Sequence, residues 1–210
     1  GGLYFLINLT FLFFFIKLFN YNPTHLYFDI LSSSSLLFGY YMFFVIGFID
    51  DKKDKFDPKL RIILSIIILS ISLLIDKELL LTNINLSFVN GDTIVIHENL
   101  HLIFTIICFL ILINSLNMTD GINLLASGFV FYLIIVFTFL GVFKIDILIL
   151  IPFFLFFFFY NNKYKIFLGS SGIMPISYLI GYFFIKSFNQ NIILYSDWVF
   201  VIIFIPLIEI

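Results

Sequence analysis

The 210 residues are 62% hydrophobic and 11% charged, with a net charge of −2 and a mean hydropathy of +1.15. So few charges leave a soluble domain too little polar surface to face water, so the chain reads as a polytopic membrane protein. The near-neutral balance carries no nucleic-acid footprint, and the one cysteine, Cys108, sits in an apolar run and can form no internal disulfide.

A membrane span needs about 20 mostly apolar residues. Such runs fall at about 3–19, 30–49, 60–76, 102–118, 124–143, 147–160, 173–188 and 197–210. The expected fold is all-α, with about eight transmembrane helices in a single domain over 1–210. The chain opens on Gly1-Gly2 with no charged leader and stops at Ile210 inside an apolar run. It therefore reads as a piece truncated at both ends.

Between spans one and two, Tyr21 to His25 forms a short turn. After span two comes the densest charge run, Asp50 to Arg61. After span three comes a polar segment, 77–101, in which Leu86–Val89 and Thr93–Ile96 flank Asn90-Gly91-Asp92. That pattern predicts a small β-hairpin at the membrane surface. After span six, Asn161 to Gly172 forms another polar connection.

Alternating spans put 50–61, 114–123 and 161–172 on one side of the membrane. That side holds seven basic residues (Lys52, Lys53, Lys55, Lys59, Arg61, Lys163, Lys165) against four on the other (Lys17, Lys77, Lys144, Lys186). The positive-inside bias makes the first side cytoplasmic. Every motif-like loop then shares one face, which is the best reason to expect one site there.

The polar end of span four, Asn114 to Asn123, spaces Asn114, Asn117, Asp120 and Asn123 three residues apart. Three-residue spacing drifts slowly around one helix face. Gly121 then loosens the chain, so Asp120 and Asn123 can turn toward a common point. Helix capping together with inter-helix hydrogen bonding is one explanation. A site for a hard cation or a phosphate-bearing substrate is the other, with Asp120 as the chief candidate and Asn117 adding a neutral oxygen. Asp50 and Asp51 end span two as adjacent carboxylates that repel unless bases or a cation relieve them. A solvated mixed-charge loop is the alternative, since lysines follow directly. Lys59 and Arg61 open span three, where they can reach lipid headgroups or hold a substrate phosphate. Gly169-Ser170-Ser171-Gly172 precedes span seven, either as a helix cap or as an anion-binding turn. His25, His97 and His101 fall on the opposite side and show no zinc spacing.

Together these residues resemble a known family, the polyprenyl-phosphate N-acetylhexosamine-1-phosphate transferases, integral membrane enzymes of the glycosyltransferase family 4 type. Gly1-Gly2 resembles the pair that opens an early helix. Gly47 to Asp54, with Pro58 to Arg61, resembles the Asp-Asp loop and its trailing bases. Asn114 to Asn123 resembles the Asn-x-x-Asn-x-x-Asp-Gly loop, and Phe167 to Gly172 the Phe-x-Gly-Asp-x-Gly loop.

The resemblance implies transfer of an N-acetylhexosamine 1-phosphate from a UDP-sugar to polyprenyl (undecaprenyl) phosphate, with release of UMP, for cell-envelope polysaccharide synthesis. It implies Mg²⁺ as cofactor, a bacterial inner-membrane location with a cytoplasmic site, and a homodimer as a further expectation. It gives Asp50, Asp51 and Asp120 catalytic roles, with one of the Asp50–Asp51 pair as a base. Asn114, Asn117, Asn123, Lys59, Gly169 and Ser170 become substrate-binding residues, and Asp120 and Asn117 metal ligands. Asp54 and Asn123 resemble the branch that starts O-antigen, common-antigen or teichoic-acid linkage synthesis more than the muramoyl-pentapeptide branch. One departure stands out. Ser170 occupies the position of an aspartate implicated in metal binding, so an impaired relative that binds lipid or a partner is a second expectation. Pro175 and Ser177 add to it. A transporter is a third, disfavoured because the carboxylates lie at span ends and no inverted repeat is visible.

Overall fold

The computed structural model describes residues 2–19, 34–52, 56–88, 93–119, 125–144, 151–162, 167–193, 195–197 and 199. Among these, seven α-helices form: α1 (Gly2–Phe19), α2 (Ser34–Lys52), α3 (Pro58–Ile75), α4 (His101–Thr119), α5 (Leu125–Phe139), α6 (Ile151–Asn162) and α7 (Ser170–Asn189). Ser34–Lys52, Pro58–Ile75 and Glu98–Thr119 are each long and apolar enough to cross a bilayer, and Leu125–Phe139 is apolar but shorter. α6 is described over 12 residues, and the expected eighth span lies almost wholly outside the described residues.

The ends of α3 show how local sequence sets a boundary. Asp57 caps it by accepting the Lys59 N–H at 2.9 Å, and Pro58 fills the first turn, where no N–H is needed. At the far end the Asp76 N–H closes on the Ser72 carbonyl. The Asp76 side chain then caps the 3-10 turn Lys77–Leu79 through the Glu78 N–H.

α7 is the axis of the bundle. Every residue from Ser171 to Tyr182 is buried, and a helix buried on all sides must be wrapped by others. α2 packs along it most extensively, with α4, α1 and α5 around the rest. The buried stripe of α2 runs Leu36, Gly39, Tyr40, Phe43, Ile46 and Gly47. Its three-and-four spacing carries on to Asp50, so the same face that packs on α7 aims Asp50 at the start of α7. Tyr178 of α7 lies between Phe43 of α2 and Phe109 of α4, with ring centroids 5.4 Å and 5.6 Å away. Its hydroxyl donates to the Ser35 carbonyl at 2.9 Å and lies 3.2 Å from Ser72 Oγ.

Pro175 and Ser177 both sit inside α7. The Ser177 hydroxyl donates back to the Ile173 carbonyl at 2.7 Å, a common resting place for a buried serine. The outward faces are apolar as well. Leu3, Ile7, Phe11, Phe14 and Leu18 of α1, and Ile103, Ile107 and Ile111 of α4, are exposed. Stripes of that kind suit contact with lipid rather than water.

The hairpin in 77–101 forms, with a corrected first strand. β1 is Asn83–Asn85 and β2 is Thr93–Val95, antiparallel, with Ile84 opposite Ile94. Leu86–Phe88 do not pair with β2. The Ser87 N–H goes instead to Asp197 Oδ1 at 3.1 Å, and its hydroxyl to Asp197 Oδ2. A backbone donor spent on a distant side chain is lost to the ladder.

Candidate active site

α2 ends where α7 begins, and there the two expected motifs meet. The backbone N–H groups of Ser170 and Ser171 donate to Asp51 Oδ1 and Oδ2, at 2.8 Å and 3.0 Å. Asp51 therefore caps α7 from another helix, where the helix dipole favours a negative charge. The Ser170 hydroxyl donates to Asp50 Oδ2 at 2.6 Å. Arg61 Nη1 donates to the same oxygen at 3.2 Å from the first turn of α3.

Backbone geometry permits this approach. Gly169 has φ +68°, and a Cβ on it would stand 2.7 Å from Asp51 Oδ2. Gly47 lies so close to α7 that a Cβ would meet the Ser170 carbonyl oxygen at 2.2 Å. Gly2 of α1 closes on Ser171 and Gly172 from a third side.

Of the expected site residues, Asp50, Asp51, Gly169 and Ser170 thus come together. Lys59 contributes its backbone N–H to the α3 cap, and the residue itself is exposed. Asn114 donates its side-chain amide to the Leu110 carbonyl of its own helix at 2.8 Å, a bond within α4 rather than the inter-helix bond expected. Asn117 is half-buried near the end of α4. Phe109 of α4 stacks on Tyr178, while Thr105, one turn earlier, accepts the Leu81 N–H beside the Leu80 carbonyl that Asn189 holds, so α4 runs antiparallel to α7. Its asparagine end therefore points toward the Ser170 end of α7. Asp120 and Asn123 lie outside the described residues. His97 caps a 3-10 turn through the Asn99 N–H, and a His101 ring nitrogen lies 2.8 Å from the Ile96 carbonyl. Both do structural work away from the cluster.

Two members of the cluster were not singled out among the site residues. Arg61, rather than Lys59, is the base beside the carboxylates. The signal for it was present: Arg61, Ser65, Ile68, Leu69 and Ser72 follow helical spacing, and the last four are buried. They form a stripe with small polar members in a helix rich in Ile and Leu. Ser171 contributes only its backbone, which no side-chain pattern reveals. The Arg61 Nε is buried and has no hydrogen-bond partner among the described residues.

These residues do not on their own make a seat for a divalent cation. Asp50 Oδ2 already accepts two donors, and both oxygens of Asp51 accept backbone N–H groups. Among the described residues no group of three or more potential metal ligands comes together.

A helical bundle with lipid-type outer faces has thus collected two carboxylates, a guanidinium and a helix N-terminus at one end. That is a membrane-type bundle with a charged cluster at one end. The chain belongs to glycosyl transferase family 4, whose model matches residues 33–188, from α2 through α7. No curated protein matches it. Membership supports a phosphosugar transferase acting on a lipid carrier, with a sugar nucleotide as the other partner and a membrane as the location.

Proposed function

We propose that the chain transfers N-acetylhexosamine 1-phosphate, with N-acetylglucosamine as the first sugar to test, from its UDP derivative to a polyprenyl phosphate. A phosphate oxygen of the carrier bonds to the β-phosphorus, the α–β bridging P–O bond breaks, and UMP leaves with that electron pair. The observation that carries this reading is the meeting of Asp50, Asp51 and Arg61 with the first turn of α7 in a family 4 chain. Asp50 and Asp51 would sit beside the carrier phosphate, one of them as base. Arg61 and Lys59 would hold phosphate oxygens. Asn114, Asn117, Asp120 and Asn123 would line the nucleotide-sugar side, with Gly169 and Ser170 between. Mg²⁺ is the expected cofactor, with Asp120 and Asn117 as its proposed ligands. The site would face the cytoplasm at the inner membrane of a bacterium, and the product would feed cell-envelope polysaccharide synthesis.

The test is UMP release from UDP-N-acetylglucosamine in washed membranes given undecaprenyl phosphate and Mg²⁺. Release that depends on both the carrier and the chain is the expected result. Folded protein that releases no UMP from this or any other UDP-amino sugar ends the reading. The Ser170–Asp50 bond favours one alternative, a relative that keeps the fold and binds the carrier without turnover. Carrier binding with no UMP release would select it.

A further inference from the structure

The contact between α2 and α7 is tied by polar bonds at both ends. Gly39 lies against Tyr178 and Gly47 against Ser170, eight residues on in α2 and eight back in α7. The two helices therefore run antiparallel and in step. At one end Asp51 accepts the Ser170 and Ser171 N–H groups. At the other, Asp76 Oδ2 accepts the Tyr182 hydroxyl of α7 at 3.2 Å and the Ser35 hydroxyl of α2 at 3.3 Å, and Lys186 pairs with Asp76 at 3.0 Å. We propose that Asp76, through Tyr182 and Lys186, is a positioning residue for the candidate site: it fixes the axial register of α7 on α2, and with it the seat of Ser170 and Ser171 on Asp51. The inference rests on the transferase reading only for its effect on turnover.

Asp76 is held from two sides. Its N–H bonds to the Ser72 carbonyl, and its side chain caps the Glu78 N–H, so the anchor belongs to α3 and not to α7. Tyr178, Tyr182, Lys186 and Asn189 recur every three or four residues and form one stripe of α7. Each is tied to a group outside the helix: Tyr178 to the Ser35 carbonyl, Lys186 also to Glu78, and Asn189 to the Glu78 and Leu80 carbonyls. Counting back by fours from Tyr182 reaches Ser170 on the same stripe. Apolar packing sets no axial position by itself, since sliding in a lipid-bathed bundle exchanges one apolar neighbour for another. The Asp51 end tolerates no slide. N–H groups at a helix start point along its axis. A shift of one residue, about 1.5 Å, would therefore stretch the 2.8 Å and 3.0 Å bonds to Asp51 past hydrogen-bond reach. Ser170 and Tyr182 are twelve residues apart, or about 18 Å of helix. Pro175 removes one backbone donor between them, and a hinge there is what would uncouple the two ends.

Tyr178→Phe combined with Tyr182→Phe removes two ties with little change in volume, and Lys186→Met removes the ion pairs. The full chain in nanodiscs carries each change with and without Asp51→Asn. Hydrogen exchange is read at the Ser170 and Ser171 amides against amides of α5, which report general loosening. Both lock variants should speed exchange at Ser170 and Ser171 by about tenfold relative to α5. Asp51→Asn already loosens these amides, so a lock change added to it should contribute less than about twofold, whereas independent sites this far apart multiply their effects. In the UMP assay kcat should fall about tenfold or more, since a misplacement of about 1 Å far from the chemistry can cost about 100-fold. KM for the sugar nucleotide should stay within about twofold, because Asp50 and Asp51 are assigned to the carrier phosphate. Exchange at Ser170 and Ser171 that merely tracks α5 overturns the proposal, and so do effects that multiply with Asp51→Asn. Faster exchange beside an unchanged kcat overturns the positioning role. If Lys186→Met does not fold, the tyrosine pair decides alone. A natural chain that releases no UMP ends the transferase reading and leaves the exchange result to decide the register.

Discussion

Arg61 and Asp50 pair across the α2–α3 connection, Nη1 to Oδ2 at 3.2 Å, with side chains 23% and 16% exposed. The pair is buried enough that removing the cation strands a carboxylate. Arg61→Met should cost about 2–3 kcal/mol of stability, below the usual figure for a fully buried pair because some solvent reaches it. It should also cut UMP release by a factor of about 100 or more, since each 1.36 kcal/mol of lost transition-state binding is tenfold. Lys59→Ala removes an exposed side chain, and its stability should stay within about 0.5 kcal/mol of the natural chain. Thermal unfolding and initial rates for both variants check this. Equal effects would mean that Arg61 has no special place.

The closeness of α2 and α7 at Gly47 gives a second prediction. A Cβ there meets backbone atoms of Ser170 at 2.2 Å and 2.4 Å, which no rotamer change relieves. Gly47→Ala should force the helices apart, costing about 2 kcal/mol or more, at the upper end of overpacking penalties. Gly128 of α5 has nothing within 4 Å of its hypothetical Cβ among the described residues. Gly128→Ala should be neutral or stabilising by up to about 1 kcal/mol, the helix-propensity gain. Unfolding midpoints of the two variants should move in opposite directions.

The opposite end of the bundle carries its own lock. Lys186, 3% exposed, reaches Asp76 at 3.0 Å and Glu78 at 2.7 Å, and the Tyr182 hydroxyl donates to Asp76 at 3.2 Å. Lys186→Met should cost about 2–3 kcal/mol, again less than a sealed pair because Glu78 is open to water. Adding Asp76→Asn should restore part of it, by removing the stranded charge. KM for the sugar nucleotide should not change, since the lock lies at the far end of α7. A large rise in KM would tie this end to the substrate site.

Asp51→Asn tests the inter-helix cap. An amide oxygen can accept one of the two N–H groups now shared by the carboxylate oxygens, and the favourable charge at the α7 N-terminus is lost. A loss of about 1–2 kcal/mol is expected, in the range of N-cap and dipole effects together. Slower hydrogen exchange at Ser170 and Ser171 in the natural chain than in the variant would show where the effect acts.

Composition was enough to mark this chain as a membrane protein, and the alternation of apolar spans to put the Asp50–Asp51 loop and the Gly169–Gly172 turn on one side. The two meet at the α2–α7 junction. Turn and cap residues marked the start of α3 and the presence of the hairpin, because those signals are local. The hairpin register escaped, because Asp197, 110 residues away, claims the Ser87 backbone. The choice between Lys59 and Arg61 escaped too. In a bundle whose lipid-facing and core-facing sides are equally apolar, hydropathy does not say which face of a helix turns inward. That orientation follows from glycines that let backbones touch and from sparse serines and one arginine that cannot face lipid. Those contacts are long-range, so it took the folded chain to show that Ser170, a neutral residue at a position expected to be acidic, completes the carboxylate cluster by donating to it.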